Sequence, residues 1–234
     1  MQPELRAVSL DLDNTLWDVV PVLKRAEQTL HQWLERHYPL IPRQFAVDDL
    51  QRLRLAVASE HPGRAHELSW LRTEALKRAA VAAGYPASVA REAFEVFSAA
   101  RNDIEPFADV PGALARLAAR VPLYAVSNGN ASVQRVGLGG YFRDAIGAEQ
   151  AGAAKPDARI FARLLEVADA AACMVLHVGD DALADVAGAR AAGLRTAWMN
   201  RGGREWPAAA APADYEVRDL IELAELVERL TAAH

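Results

Sequence analysis

The sequence predicts an α/β protein with a doubly wound parallel-sheet core and an all-helical domain inserted after the first strand. Residues 107–234 alternate short apolar runs with segments of helical spacing, which is typical of a parallel sheet covered by helices on both faces. Residues 17–106 instead contain four successive segments of helical periodicity separated by Pro and Gly. We therefore expect a core domain from 1–16 plus 107–234 and a helical domain from 17–106.

The first predicted element is a buried strand. Residues 5–10 (LRAVSL) are mostly apolar and end at Asp11, which suits a strand that delivers polar residues at its carboxyl edge. The helical segments then follow as VVPVLKRAEQTLHQWLERHY, VDDLQRLRLAVASE, AHELSWLRTEALKRAAVAAG and ASVAREAFEVFSAARND. Their apolar spacing predicts an all-helical bundle.

Beyond residue 106 helices and strands are expected to alternate. In chain order we predict the helix ALARLAAR, the strand VPLYAV, a helix, the strand AIGA, the helix DARIFARLLEVA, the strand CMVLHV, the helix LADVAGARAA, the strand RTAWM and a last helix from Asp219. This order makes the strands parallel neighbours joined by helical crossovers.

The composition narrows the classes of function. The 234 residues are 52% apolar and 24% charged, which is ordinary for a globular protein, and the net charge of −5 gives no overall basic surface for nucleic acid or an anionic membrane. No apolar stretch approaches the length of a membrane span, and no secretion signal is apparent. The single Cys173 permits no intrachain disulfide or cysteine-based zinc cluster. We expect a cytoplasmic protein with a small-molecule partner, no nucleic-acid partner and no membrane partner; the sequence predicts no oligomeric state.

Four polar clusters follow predicted strands. They are DLDNT from Asp11, SNGN from Ser127, GAAKPD with Lys155, and GDDALAD over 179–185. In open parallel sheets ligands bind outside the carboxyl ends of the strands, so all four clusters are expected to share one pocket.

Acids and a lysine in one cleft suggest phosphoryl transfer assisted by Mg²⁺, because this ion takes few protein carboxylates and completes its shell with phosphate oxygens and water. In this hypothesis Asp11 is the nucleophile and forms an aspartyl phosphate. Asp13, on the same side of the strand end, protonates the leaving oxygen and later takes a proton from the attacking water. Lys155 offsets the charge of the phosphoryl group and of Asp11.

The acids of GDDALAD are the candidate metal ligands. Asp180 is expected to hold the metal together with Asp11, and Asp185 or Asp181 to support it. Asp181 and Asp185 also lie where the first turn of a helix favours acids for structural reasons alone. His177 lies inside an apolar strand, and we interpret it as a core histidine with hydrogen-bond partners rather than as a ligand.

The phosphate is expected to bind at SNGN and at the lysine. Ser127 with the backbone N–H of Asn128 or Gly129, together with Lys155, would hold the remaining phosphate oxygens. The alternative for Ser127 is a structural role as the cap of the helix predicted to follow it.

DLDNT, the serine that opens SNGN, Lys155 in KPDARIF and the acids of GDDALAD resemble, in order and spacing, the four motifs of the haloacid dehalogenase-like (HAD) superfamily. The resemblance spans the chain and implies a Rossmann-like core with a helical C1-type cap inserted between the first and second motifs. It implies that the backbone carbonyl of Asp13 also binds the metal. It further implies a phosphatase or phosphomutase, because the dehalogenases of the superfamily lack an acid two residues after the nucleophile.

Several stretches also resemble one group of bacterial phosphatases within that superfamily. DLDNTLWDVVPVLKRAE, DDLQRLR, PLYAVSNGNA and HVGDDALADVAGA are similar to enzymes that hydrolyse 5-amino-6-(5-phospho-D-ribitylamino)uracil on the way to riboflavin, and also FMN. The resemblance implies a small phosphorylated metabolite as substrate and a role in riboflavin biosynthesis. A generalist phosphatase for sugar phosphates and nucleotides, a phosphomutase and a non-catalytic phospho-acceptor domain are the alternatives.

Overall fold

The structure is a computed structural model that describes residues 4–207 and 211–232. The chain forms two compact units, which we call the core unit (Met1–Asp18 with Glu105–His234) and the helical unit (Val19–Ile104). The helices are α1 (Val19–His37), α2 (Leu40–Gln44), α3 (Val47–Glu60), α4 (Leu68–Ala82), α5 (Val89–Arg101), α6 (Val110–Ala118), α7 (Ala148–Ala151), α8 (Ala158–Ala168), α9 (Gly188–Ala191) and α10 (Leu220–Ala232). None of these described helices is both long and apolar enough to cross a membrane.

The core unit contains one parallel sheet, as the sequence predicts. Its strands are β1 (Ala7–Leu10), β2 (Leu123–Ser127), β3 (Asp144–Gly147), β4 (Val175–Gly179), β5 (Arg195–Met199) and β6 (Tyr215–Val217). Their order across the sheet is β3-β2-β1-β4-β5-β6. Every residue of β1, β2 and β4 is buried, which is expected when helices flank a parallel sheet.

The register of the central strands aligns the ends that carry the predicted site. Leu10 at the end of β1 pairs with Ala125 of β2 and with Val178 of β4. The polar residues that follow these strands therefore emerge at one edge of the sheet, with the end of β1 between the ends of its two neighbours.

The segment between β2 and β3 differs from the prediction, since the structure has no α-helix there. Residues 128–138 form bends and turns, and a short 3₁₀ turn follows at Gly139–Tyr141. Gly137 adopts φ +85°, a left-handed conformation that ends the preceding turn. The prediction is wrong because this glycine-rich stretch cannot continue the single turn that begins at Ser132.

Three short elements were not predicted from the sequence. The strand β6 pairs with β5 at the edge of the sheet, the one-turn helix α2 follows α1, and the one-turn helix α7 follows β3. Three residues, Tyr215–Val217, are too few to show a strand periodicity against their neighbours.

The helical unit is all-helical, as predicted, and has its own apolar core. Side chains of all five helices α1–α5 contribute to this core, including Leu30, Ile41, Leu50, Leu76 and Phe97. Such a core allows the unit to be compact without apolar contributions from the sheet.

Candidate active site

The chain makes a tight loop directly after β1. The Leu16 N–H donates to the Leu12 carbonyl over 2.8 Å, and the Asn14 N–H donates to the Trp17 carbonyl over 2.7 Å. Asn14 has φ 61°, which asparagine tolerates better than most residues. The turn places Asp11 at its start, where the residue is only 7% exposed.

Asp13 is oriented by a tryptophan of the same loop. The indole N–H of Trp17 donates to Asp13 Oδ1 over 2.7 Å, and Trp17 itself is fully buried. An indole N–H is a donor only, and a buried ring does not rotate freely, so this bond fixes the direction of the carboxylate. Sequence reasoning missed this contact, although the spacing of four residues across a tight turn is a signal for it.

Lys155 connects the end of β1 with the acids that follow β4. Its Nζ donates to Asp11 Oδ1 and Asp185 Oδ1, each over 2.6 Å, and to the Val126 carbonyl over 2.8 Å. These three bonds use all three ammonium donors. Burial alone would lower the pKa of Lys155, but Asp11 and Asp185 outweigh it and hold the pKa above its ordinary value, so the ammonium stays charged.

Burial and neighbouring acids both raise the pKa of Asp11. Removal from water raises the pKa of Asp11 to about 7; Lys155 opposes this shift, and Asp185 and Asp13 add to it. A pKa near neutrality is characteristic of functional carboxylates. Any cation bound beside Asp11 would favour the ionised form that a nucleophile requires.

Three acids converge on a site that suits a divalent cation. One carboxylate oxygen each from Asp11, Asp180 and Asp185 lie within 4.8 Å of one another in the described part of the chain. Burial and the charge of Asp185 raise the pKa of Asp180 to about 6. An all-oxygen donor set with excess negative charge fits a hard cation such as Mg²⁺.

Asp185 is carried by a widened helical turn, Ala182–Ala187, with π-helical hydrogen bonding. Asp181 begins this turn, and its Oδ1 accepts the N–H groups of Leu183 and Ala184 over 2.8 and 2.7 Å. Asp181 is therefore a helix cap and is not one of the three converging acids. Its own N–H donates to Asp185 Oδ2 over 3.0 Å.

Asp185 is also held from within the sheet. His177 Nε2 lies 3.2 Å from Asp185 Oδ1, and His177 Nδ1 lies 2.8 Å from Ser9 Oγ. Burial lowers the pKa of His177, so the ring is neutral; because a carboxylate only accepts, Nε2–H donates to Asp185 and Nδ1 accepts the Ser9 hydroxyl. His177 is thus buried with two partners, but one of them is a site residue. A Cβ on Gly179 would lie 2.2 Å from Asp185 Cγ, so this glycine leaves room for the carboxylate.

The residues after β2 hold Lys155 and form a local turn. Asn128 Nδ2 donates to the Lys155 carbonyl over 3.0 Å, and the Lys155 N–H donates to Asn128 Oδ1 over 2.7 Å. The Gly129 N–H donates to Ser127 Oγ over 3.0 Å, which leaves the hydroxyl hydrogen as a donor. Ser127 does not cap a helix, because no α-helix follows it before β3 in the described chain.

Residues 5–193 match the family model of haloacid dehalogenase-like hydrolases. The chain belongs to this family. As a HAD hydrolase it is an enzyme, and such enzymes typically use a divalent metal, which the acid cluster at the end of the sheet can hold.

Curated relatives of this HAD chain include two phosphatases. The 5-amino-6-(5-phospho-D-ribitylamino)uracil phosphatase YigB of Escherichia coli is 33% identical over 199 residues, which is 83% of either chain. The phosphoserine phosphatase of Thermus thermophilus is 28% identical over 244 residues, covering 94% of this chain and 98% of the relative.

A solved HAD structure is similar over nearly the whole length. The 2-haloacid dehalogenase from Pseudomonas syringae pv. Tomato DC3000 has a TM-score of 0.91 and 38% sequence identity, covering 96% of this chain and 99% of the other. The similar proteins therefore carry two different chemistries on one HAD fold, and the side chains at the site must distinguish between them.

Proposed function

We propose that the protein is a Mg²⁺-dependent phosphomonoesterase that works through an aspartyl-phosphate intermediate. The observation that supports it most is the second carboxylate beside Asp11. Asp13 is held by the Trp17 indole N–H at 2.7 Å, partly exposed and two residues after the nucleophile, where a proton must be delivered and later removed.

In the first half-reaction an Asp11 carboxylate oxygen forms a bond to phosphorus, and the bond from phosphorus to the ester oxygen breaks. The leaving oxygen takes the proton of Asp13, so the alcohol departs neutral. In the second half-reaction Asp13 takes a proton from water as the water oxygen attacks phosphorus. The phosphorus–Asp11 bond breaks, which releases phosphate and restores Asp11.

The charges of the site would be balanced by two cations. A divalent cation held by Asp11, Asp180, Asp185 and the backbone carbonyl of Asp13 would supply electrostatic stabilisation to the transferring phosphoryl group. Lys155, fixed by three hydrogen bonds, would neutralise Asp11 and one phosphate oxygen from the other side.

The end of β2 would hold the remaining phosphate oxygens. Ser127 has a hydroxyl hydrogen available for donation after it accepts the Gly129 N–H. The Asn128 side chain is bonded to the Lys155 backbone, so Asn128 would reach the phosphate through its backbone N–H while its side chain keeps the lysine in place.

For the substrate we propose a small phosphorylated metabolite, in first place 5-amino-6-(5-phospho-D-ribitylamino)uracil or FMN. The similarity to YigB at 33% identity over 83% of the chain supports a role in riboflavin biosynthesis. The helical unit would act as the cap that selects the substrate, while the core unit would carry out the chemistry. A generalist phosphatase for sugar phosphates and nucleotides is the alternative within the same reaction class.

Phosphate release from a substrate panel tests this proposal. The panel contains the ribitylaminouracil phosphate, FMN, sugar phosphates and nucleotides, each with Mg²⁺, and Asp11→Asn as the blank. A preference in kcat/KM for the first compound would support the riboflavin role, whereas uniform weak rates would indicate a generalist. Capture of an aspartyl phosphate without phosphate release would instead indicate a phosphomutase or a phospho-acceptor.

Dehalogenation is the second candidate, because a solved structure of 38% identity is that of a 2-haloacid dehalogenase. Halide release from 2-chloropropionate, measured beside the phosphate panel, separates the two. We expect no halide release above the Asp11→Asn blank, because the dehalogenases of the superfamily lack an acid two residues after the nucleophile, where this chain has Asp13. Halide release without phosphatase activity would overturn the proposed function.

A further inference from the structure

Arg201, just after β5, binds the loop that carries the two site aspartates. Its Nε–H donates to the Thr15 carbonyl over 3.0 Å. Its Nη1 and Nη2 donate to Asp109 Oδ1 and Oδ2 over 3.0 and 2.8 Å. The guanidinium therefore uses three donors in one plane, a geometry that lysine cannot reproduce.

Further contacts of the core unit fix this guanidinium in place. It lies 4.2 Å from the centroid of the Phe107 ring, and its side chain is only 18% exposed. Asp109 also accepts the Leu220 N–H over 2.8 Å, and the Phe107 N–H donates to the Leu16 carbonyl over 3.0 Å. Arg201 thus joins the loop after β1 to the segment that precedes α6 and to the start of α10.

The same loop places the proposed reacting groups. The Thr15 hydroxyl donates to Asp11 Oδ2 over 3.4 Å, and Trp17 orients Asp13. A shift of the Thr15 backbone would move both contacts, because Thr15 lies between the two aspartates and the tryptophan in a turn of only seven residues from Asp11 to Trp17.

We propose that Arg201 is a positioning residue that holds the loop of residues 11–17 in its reactive geometry by way of the Thr15 carbonyl. The proposal rests on the proposed function, since it assigns Arg201 to the same reaction. Among the residues that the structure describes, Arg201 bonds to Thr15 and Asp109 and not to Asp11 or Asp13, so its effect is on the orientation of these two aspartates.

The chain offers a matched control for this arginine. Arg116 of α6 makes a comparable bidentate ion pair with Glu228 of α10, with both N···O distances at 3.1 Å. This pair also joins two elements of the core unit, but its side chains are more exposed, at 41% for Arg116 and 35% for Glu228. Within the described part of the chain it makes no hydrogen bond to residues 11–17. Arg116→Met therefore removes a bidentate pair without disturbing the loop.

The test compares Arg201→Met with Arg116→Met in three measurements: kcat and KM with the best substrate of the panel, Tm, and hydrogen exchange of peptides covering residues 11–17. We expect Arg201→Met to lower kcat by about tenfold to a hundredfold with KM changed by less than about threefold, because misplacement of reacting groups acts mainly on the chemical step. Exchange of the Asn14 and Leu16 amides should become faster in this variant. Arg116→Met should change neither kcat nor exchange in this loop.

Asp109→Asn separates positioning from stability. It weakens the ion pair but leaves the bond from Arg201 to Thr15, so we expect a lower Tm with a smaller loss of kcat than in Arg201→Met. If Arg201→Met is too unstable to purify, Arg201→Lys provides the same comparison, because it keeps the charge and loses the planar three-donor geometry.

Unchanged kcat and unchanged exchange in Arg201→Met would overturn the proposal. The proposal would also be overturned if Asp109→Asn and Arg201→Met had the same Tm and lost kcat to the same extent, because Asp109→Asn keeps the bond to Thr15. The exchange measurement needs no substrate. If the wild type released no phosphate, the proposed function would fail, while faster exchange over residues 11–17 in Arg201→Met alone would still support the effect on the loop.

Discussion

At the scale of single residues, Lys155 is one cation shared by two buried carboxylates. Asp11 and Asp185 each lie 2.6 Å from its Nζ, and both residues are nearly inaccessible to water. The ammonium therefore contributes to the folded state itself, apart from any contribution to catalysis.

We expect Lys155→Met to lower the free energy of unfolding by about 3–5 kcal/mol, because removal of one partner leaves buried charge uncompensated. Urea denaturation at neutral pH measures this. Lys77→Met, which removes an exposed lysine paired with Glu74 at 3.0 Å, is the control and should change stability by less than about 1 kcal/mol. If the unfolding free energy of Lys155→Met lay within about 1 kcal/mol of the wild-type value, water or protonation would be compensating the two acids.

A second single-residue prediction concerns Trp17. Trp17→Phe keeps a buried aromatic ring but removes the donor to Asp13 Oδ1, so we expect a fall in kcat of about tenfold with a smaller change in KM. Steady-state kinetics measures this, with Trp33→Phe in the helical unit as a control for loss of an indole. Equal kcat in wild type and Trp17→Phe would show that Asp13 does not depend on this bond.

At the scale of elements, β4 approaches the following helical turn so closely that one position accepts only glycine. A Cβ at Gly179 would lie 2.2 Å from both Cγ and Oδ2 of Asp185. We expect Gly179→Ala to displace the Asp185 carboxylate, weaken Mg²⁺ binding at least tenfold and abolish turnover, since about 1.4 kcal/mol of lost ligand interaction is already tenfold in affinity.

Isothermal titration with Mg²⁺ tests this without any substrate, and circular dichroism shows whether the sheet is retained. Gly112→Ala in α6 is the matched control, because no atom lies within 4 Å of the added methyl group. If Gly179→Ala bound Mg²⁺ with the affinity of the control, Asp185 would not be needed at the metal.

Some of these elements could be predicted from the sequence and others could not. The parallel sheet and the edge that carries the candidate site were predictable from the sequence. Apolar runs indicate buried parallel strands, and the polar residues Asp11, Ser127 and Asp180 mark the carboxyl ends of three of them. The widened turn at Ala182–Ala187 was not predictable, since one additional residue per turn does not disturb the apolar spacing enough to be detected. The prediction of a helix after β2 was wrong because Gly137 has a left-handed φ, which depends on the turn around it.

At the scale of the whole molecule, the contacts that complete the site join distant parts of the chain. Arg201 and Thr15 are separated by 186 positions, and Lys155 and Asp11 by 144. The motifs identified Lys155 because a lysine beside acids has a recognisable chemistry. Arg201 had no such signal, because an arginine after a strand is equally typical of a solvated loop.

Asp109 links several of these distant segments and should make the stability of the fold depend on acid pH. Burial alone would raise the pKa of Asp109, but hydrogen bonds from Arg201 and the Leu220 N–H outweigh it and hold the pKa below its ordinary value of 3.8. A carboxyl with a lowered pKa in the folded state contributes stability that is present above its unfolded pKa of about 4 and is lost as the pH falls through the folded value.

We therefore expect the difference in unfolding free energy between wild type and Asp109→Asn to be largest above about pH 5 and to shrink as the pH falls below about 4. Urea denaturation over this range measures it, with Asp48→Asn at an exposed position as the control. A difference that did not vary with pH would show that Asp109 acts through packing and not through its charge.

The hydrogen bond from the Phe107 N–H to the Leu16 carbonyl, 3.0 Å long, has a consequence for the history of such a chain. The chain leaves the core unit just after Leu16 and re-enters it just before Phe107, and these two points are neighbours. The core unit therefore places little constraint on the length of the segment inserted between them. A replacement segment needs only two adjacent ends to be accommodated. The sheet with its acids and the helical unit can therefore be inherited separately, one kept while the other is exchanged.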